Sequence, residues 1–148
     1  MSYLQSKHFL NSEKSNCAPT VNVSYVEKDK KGDLASPEYW GPSLWLVCHV
    51  GANNYPKNPS KIAIDKMKKF IEGLPYILPC ENCFEHASSY VDSIKHKLDD
   101  ICKNRDNLFK FFNDFHNFVN KRTNKKTVPL EVAKEMYTNG KCKIIKYN

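Results

Sequence analysis

Leu108, Phe111, Phe112, Phe115, His116 and Val119 recur at spacings of three and four, which an α-helix gathers onto one side. A stripe with three phenylalanines must be covered, and the rest of the chain supplies partners of the same period. Leu44, Cys48, Gly51, Ala52 and Tyr55 form one stripe with Trp45 and His49 beside it, in a helix expected to open at Ser36-Pro37 and end at Tyr55-Pro56. A second helix is expected from about Pro59 to a closing Gly73, with Ile64, Met67, Phe70, Ile71 and Leu74 inward. Ala87, Tyr90, Val91, Ile94 and Leu98 predict a third helix that fades near Lys97. Asp100 to Asn107 reads as a polar connector, and the phenylalanine helix follows as the fourth. A short fifth, from Pro129 to about Tyr137, would bury Val132, Ala133 and Met136. No useful strand alternation and no repeat occurs, so the expected fold is all-α: a four-helix bundle with a short fifth helix.

This pattern divides the chain into a flexible tail over 1–36, one domain over 37–138 and a short tail over 139–148. A chain of 148 residues can bury a core without disulfide staples. It has no apolar run of about twenty residues, so no membrane span is expected. The N-terminal residues lack a charged-then-apolar leader pattern, so export is not expected and a cytoplasmic location is. The formal charge of +7 comes from lysines spread along the chain, which reads as a solvated basic surface and not a nucleic-acid interface.

Pro79-Cys80-Glu81-Asn82-Cys83 sets two thiols at the expected start of the third helix. Free N–H groups and the helix dipole favour a thiolate there, and at this spacing the two sulfurs can bond, so the pair can cycle between dithiol and disulfide. Half of a zinc site is the competing reading, using Cys80, Cys83, His86 and one distant ligand, but no second short pair of ligands occurs. Thioredoxin-type pairs need a βαβ setting, which an all-α chain does not offer. A dithiol passes electrons to dioxygen poorly, and a flavin bridges that gap. Trp45, His49 and Tyr55 are candidates for a ring pocket. On the fourth helix His116 and Asn120 share a face with Asn117 beside them, and Arg122, Lys125 and Lys126 follow for a diphosphate. Taken singly, His49, Trp45 and Tyr55 read first as core residues, and the basic turn as a solvated helix end.

Taken jointly, these residues resemble the Erv/ALR sulfhydryl oxidases. The resemblance rests on Trp40-Gly41-Pro42-Ser43-Leu44-Trp45, His49 and Ala52-Asn53-Asn54-Tyr55-Pro56, on the Cys80–Cys83 motif, and on His116-Asn117-Phe118-Val119-Asn120-Lys121-Arg122 with Lys125. It covers about residues 39–137 and is nearest the short versions encoded by large cytoplasmic DNA viruses. It implies an FAD-dependent thiol oxidase on a helical bundle, usually a homodimer, that forms disulfides in protein substrates and reduces O2 to hydrogen peroxide. Carried over by position, Cys83 would be the flavin-proximal sulfur and Cys80 the interchange sulfur. Trp45, His49, Tyr55, His116, Asn117 and Asn120 would contact FAD, with Arg122 and Lys125 near its phosphates. A thioredoxin-like carrier is the implied partner, in the host cytoplasm or the virion.

Two departures stand out. The first cysteine of a second disulfide found in many cellular members aligns with Asn113, and no cysteine occurs near Val128. A paired shuttle motif is also missing, leaving the single thiols Cys17 and Cys142. Cys48 reads as a small buried hydrophobe, and Cys102 has no assigned place.

Overall fold

The computed structural model describes residues 34–138. Six α-helices follow in order: α1 (Pro37–Asn54), α2 (Lys61–Gly73), α3 (Glu81–Ile94), α4 (Leu98–Cys102), α5 (Arg105–Arg122) and α6 (Leu130–Thr138). Single 3-10 turns precede α3 (Leu74–Ile77) and α4 (Lys95–Lys97), and no strand occurs among the described residues. The four long helices form the expected bundle with α6 as the short extra one, while the single-turn α4 is an addition. Both expected tails, with Cys17 and Cys142, fall outside the described residues except for 34–36.

Local chemistry accounts for the helix ends. Ser60 Oγ accepts from the Ala63 N–H at 3.2 Å, and Asn104 Oδ1 accepts from the Asn107 N–H at 2.8 Å, each supplying a partner for an N-terminal amide. Tyr55 is extended ahead of Pro56 and ends α1 as expected. Gly73 does not close α2 through left-handed backbone: its φ is −82°, and the chain runs on into the turn Leu74–Ile77.

α5 is the axis of the core. Leu108, Phe109, Phe111, Phe112 and Phe115 are buried, and α1 makes the broadest contact with this helix. Four expectations need correction. On α2, Phe70 was expected inward but is 43% exposed, while Ile71 and Leu74 are buried. On α1, Cys48, Ala52 and Tyr55 are buried but Gly51 is exposed. The third helix ends at Ile94, so Leu98, expected on its stripe, instead opens α4, which runs to Cys102 inside the expected connector Asp100 to Asn107. Leu98 and Cys102, four apart, are buried and Ile101 packs beside them. α6 turns Leu130, Ala133 and Tyr137 inward and leaves Val132 and Met136 at 46% and 59% exposure. A helix this short leaves its apolar face to be chosen by its neighbours.

Asn117 pins the segment between α5 and α6. Its Nδ2 donates to the Val128 carbonyl and its Oδ1 accepts from the Val128 N–H, both at 2.8 Å, and Asn113 Nδ2 reaches the same carbonyl at 3.4 Å. A polar clasp thus occupies the place where the resemblance led us to look for a second disulfide.

Candidate functional site: a disulfide on a ring-lined cavity

Cys80 is the N-cap of α3, with extended backbone (φ −128°, ψ 122°), and its Sγ accepts from the Cys83 N–H at 3.3 Å. The two cysteines form a disulfide across Cα atoms 5.1 Å apart. Pro75 lies within the 3-10 turn and Pro79 directly before the cap, so the pair is presented on a stiff lead-in. The first turn of α3 offers free N–H groups and positive potential, which lower the cost of a thiolate when the disulfide opens.

The disulfide borders a cavity of about 670 Å³. Trp40, Gly41 and Trp45 of α1, Cys80, Cys83 and His86 of α3, His116 and Asn120 of α5, and Tyr137 of α6 contribute to its wall. Two ring stacks organise it. Trp45 lies parallel to His116 with centroids 4.3 Å apart, held by the edge of Phe115 at 5.4 Å. His49 stacks on Tyr137 at 4.2 Å and meets the edges of Trp45 and His116. Gly41 is buried, yet a Cβ added there would meet nothing within 4 Å, because the residue fronts the open space.

Both histidines are held neutral. Burial, with His49 and Lys125 nearby, pushes the pKa of His116 down to about 4. Burial also lowers that of His49, against the opposing pull of its bond to the Trp45 carbonyl. His49 Nδ1 lies 2.7 Å from that carbonyl, which can only accept, so Nδ1 carries the proton. Nε2 is then a bare acceptor, fully buried and without a partner. An unpaired buried acceptor costs about 1–3 kcal/mol, so a ligand donor placed there would recover stability.

The end of α5 supplies the positive edge. Asn124 takes the left-handed conformation (φ 55°), the Lys125 N–H donates to the Asn120 carbonyl at 2.8 Å, and the Asn124 N–H reaches the Lys121 carbonyl at 3.4 Å. This paired closure is the Schellman cap, and asparagine tolerates its left-handed residue. The chain emerges with Lys125 on the cavity wall. Arg122 also lines the cavity, bonds His86 Nε2 and stands 5.9 Å from the Phe118 centroid. Arg122 therefore links the end of α5 to the helix that carries the cysteines.

Of the residues singled out in the sequence, Cys80, Cys83, Trp45, His116, Asn120, Arg122 and Lys125 meet at this cavity. His49 stands behind its rings. Tyr55 and Asn117 are not among the lining residues: Asn117 serves the Val128 clasp, and Tyr55 Oη donates to the buried Cys102 carbonyl at 2.9 Å. Both had been expected to touch a cofactor, and in each case a backbone partner elsewhere claims the polar atoms. Tyr55→Phe should accordingly cost about 1–3 kcal/mol in chemical denaturation, through the unpaired Cys102 carbonyl, while leaving ligand content unchanged. Lost ligand with unaltered stability would return Tyr55 to the site.

Sequence reasoning missed Trp40, Gly41, His86 and Tyr137 as site residues. Trp40 and Gly41 stood inside a motif already noticed, and His86 lies one turn beyond Cys83. Tyr137 carried no signal, because its place depends on the turn of α6. The remaining described cysteines are buried, and burial pushes the Cys48 thiol up to about 12 and that of Cys102 up to about 11, which disfavours the reactive thiolate. The zinc arrangement is not assembled either. No group of three or more His, Cys, Asp or Glu is placed to hold a metal among the described residues, and His86 Nε2 is taken by Arg122.

Comparison with known proteins bears on the family and the fold. The profile of the Erv1 / Alr family matches residues 42–138. A protein of Invertebrate iridescent virus 6 that carries the name of an FAD-linked sulfhydryl oxidase is 38% identical over 104 residues, covering 68% of this chain and 94% of the viral one. The FAD-linked sulfhydryl oxidase of African swine fever virus is 32% identical over 114 residues, covering 74% of this chain and 88% of its own. The FAD-binding domain of Erv1 from Saccharomyces cerevisiae superposes with a TM-score of 0.63 at 25% identity, over 70% of this chain and 94% of that one. No described helix is long and apolar enough to cross a membrane. With the matched profile spanning α1 to α6 and these relatives on both sequence and fold, the chain belongs to the Erv1 / Alr family of FAD-linked sulfhydryl oxidases.

Proposed function

We propose that this chain is an FAD-dependent thiol oxidase that makes disulfides in protein substrates. The observation that carries the reading is the Cys80–Cys83 disulfide at a helix N-terminus, opening on the cavity that holds the ring stacks and the basic edge. The residues present fit FAD. Its volume suits a cofactor-sized ligand, Trp45 and His116 offer flat faces, His49 Nε2 awaits a donor, Gly41 leaves room, and Arg122 with Lys125 suits a diphosphate. When bound, FAD supplies a two-electron acceptor that returns the dithiol to the disulfide and passes the electrons to O2.

The chain's own part is thiol–disulfide exchange. A substrate thiolate attacks Cys80 Sγ, the Cys80–Cys83 bond breaks, and Cys83 leaves as a thiolate at the first turn of α3. The second substrate thiolate attacks the substrate sulfur of this mixed disulfide and releases Cys80. The substrate has lost two electrons and two protons, and the enzyme pair has gained the two electrons. Cys83 is taken as the leaving sulfur because of its position in the family motif; both sulfurs line the cavity, and Cys80, at the cap of α3, stands next to exposed Pro79.

The state of the pair also bears on the partner: a thioredoxin-like carrier would present a suitable dithiol. A homodimer is the expected assembly, with Leu46 and Val47 of α1, at 36% and 65% exposure, as apolar surface that a second copy would cover. As the relatives include viral proteins, the reaction is assigned to host cytoplasm or virion.

The direct test is the visible spectrum of the purified protein before and after dithiothreitol, in air. Bound flavin, bleached by dithiothreitol when oxygen is depleted and restored in air with release of hydrogen peroxide, is the expected result. A protein that takes up no FAD on reconstitution would overturn the reading.

A further inference from the structure

Next to the disulfide lies a feature that neither the core nor the cavity explains. The turn Leu74–Ile77 and its exit divide their side chains between two tasks: Leu74 and Leu78 line the cavity, whereas Tyr76 and Ile77 stand at 76% and 67% exposure. Tyr76 is backed by the edge of Phe84, one residue after Cys83, at 5.2 Å. Lone exposed apolar residues are ordinary, but here two adjoin, one is backed by a second ring, and they lie three and four residues before Cys80. Three residues span at most about 11 Å, so Ile77 is held within reach of the reacting sulfur.

We propose that Ile77 and Tyr76, the latter backed by Phe84, form the docking surface for the thiol-bearing segment of a protein substrate, and select cysteines flanked by a large apolar residue. The inference rests on the reading of Cys80–Cys83 as an exchanging disulfide. Its chemistry names the occupant. Exchange brings a substrate cysteine to Cys80 Sγ, and Tyr76 and Ile77 are the exposed large apolar residues nearest to Cys80 along the chain, so a substrate segment laid along this turn would bury an apolar side chain beside its cysteine there.

The test uses the FAD-loaded full chain and two reduced two-cysteine peptides, one with phenylalanine and one with serine before each cysteine. For Tyr76→Ser/Ile77→Ser, KM for the phenylalanine peptide should rise about tenfold or more with kcat little changed. The serine peptide, dithiothreitol turnover and the flavin spectrum should be unaffected. Tyr76→Phe/Ile77→Leu should restore the wild-type KM, and Val132→Ser, exposed on α6, should not change it. Unchanged KM for the phenylalanine peptide in the serine variant would overturn the proposal. So would a wild-type dimer that this variant dissolves, because a second copy would then be the occupant. Wild-type protein that binds FAD but fails with dithiothreitol would instead overturn the thiol-oxidase reading beneath it.

Discussion

Cys83→Ser should bind flavin as the wild type does and oxidise no thiols. The substitution leaves the N–H of residue 83 in place, so the bond to Cys80 Sγ that caps α3 can persist. The rings on α1, α5 and α6 and the positive edge formed by Arg122 and Lys125 are untouched. What disappears is the sulfur that leaves when Cys80 is attacked: a serine alkoxide neither leaves at neutral pH nor closes a disulfide. Oxygen uptake with dithiothreitol should fall by at least about a hundredfold at unchanged flavin per chain. Cys80→Ser is the companion variant. Serine is a favoured N-cap, so the helix start should be kept while exchange is lost. Residual flavin-dependent turnover near the wild-type rate in either variant would mean that the electrons enter elsewhere.

Acidification should weaken the flavin-free protein between pH 6.5 and 4. His116 is held neutral by burial, with its pKa pushed down to about 4 from an ordinary 6.5. Between those values the unfolded chain binds a proton that the folded chain refuses, so stability rises with pH and is lost as pH falls. His49, also lowered by burial, adds in the same direction. Full separation of the two values corresponds to about 3 kcal/mol, and partial solvent access reduces this, so a loss of roughly 1–3 kcal/mol is expected. His116→Phe keeps a ring for Trp45 and removes the titrating group, and should flatten this part of the profile. Denaturant midpoints measured from pH 7 to 4.5 would decide it. An acid limb that survives in His116→Phe would assign the titration to other groups. Bound ligand adds its own stabilisation, so the comparison belongs to the flavin-free state.

The two predictions draw on parts of the molecule that differ in how far they could be read from sequence. Helix identity was accessible because three-and-four spacing and Tyr55-Pro56 are local signals; Ser36, the serine read as a cap, makes no side-chain capping bond, and Ser60 and Asn104 do the capping instead. The cysteine pair was likewise local: Cys80, Pro79 and the pattern behind Cys83 fixed the start of α3. Sharing of a face by His116 and Asn120 followed from their spacing of four, and both line the cavity.

Where an element docks was not accessible in this way. α4 contains too few residues for periodicity to register, and it exists because Leu98 and Cys102 have a core to enter. α6 is hydrophobic enough on two overlapping faces that only its contacts with α1 and α5 select Tyr137 over Met136. Asn117 and Tyr55 lay within a familiar pattern, yet the Val128 and Cys102 backbone groups, eleven and forty-seven residues away, engage them. The sequence by itself determined the all-helical class, the helix N-terminus under the thiols and the residue types around them. The tertiary structure decided which of those polar atoms found partners in the protein and left His49 Nε2 without one. The physical reason is that backbone propensity and periodicity act over a few residues, whereas satisfaction of a buried polar group depends on whichever distant backbone the packing brings to it.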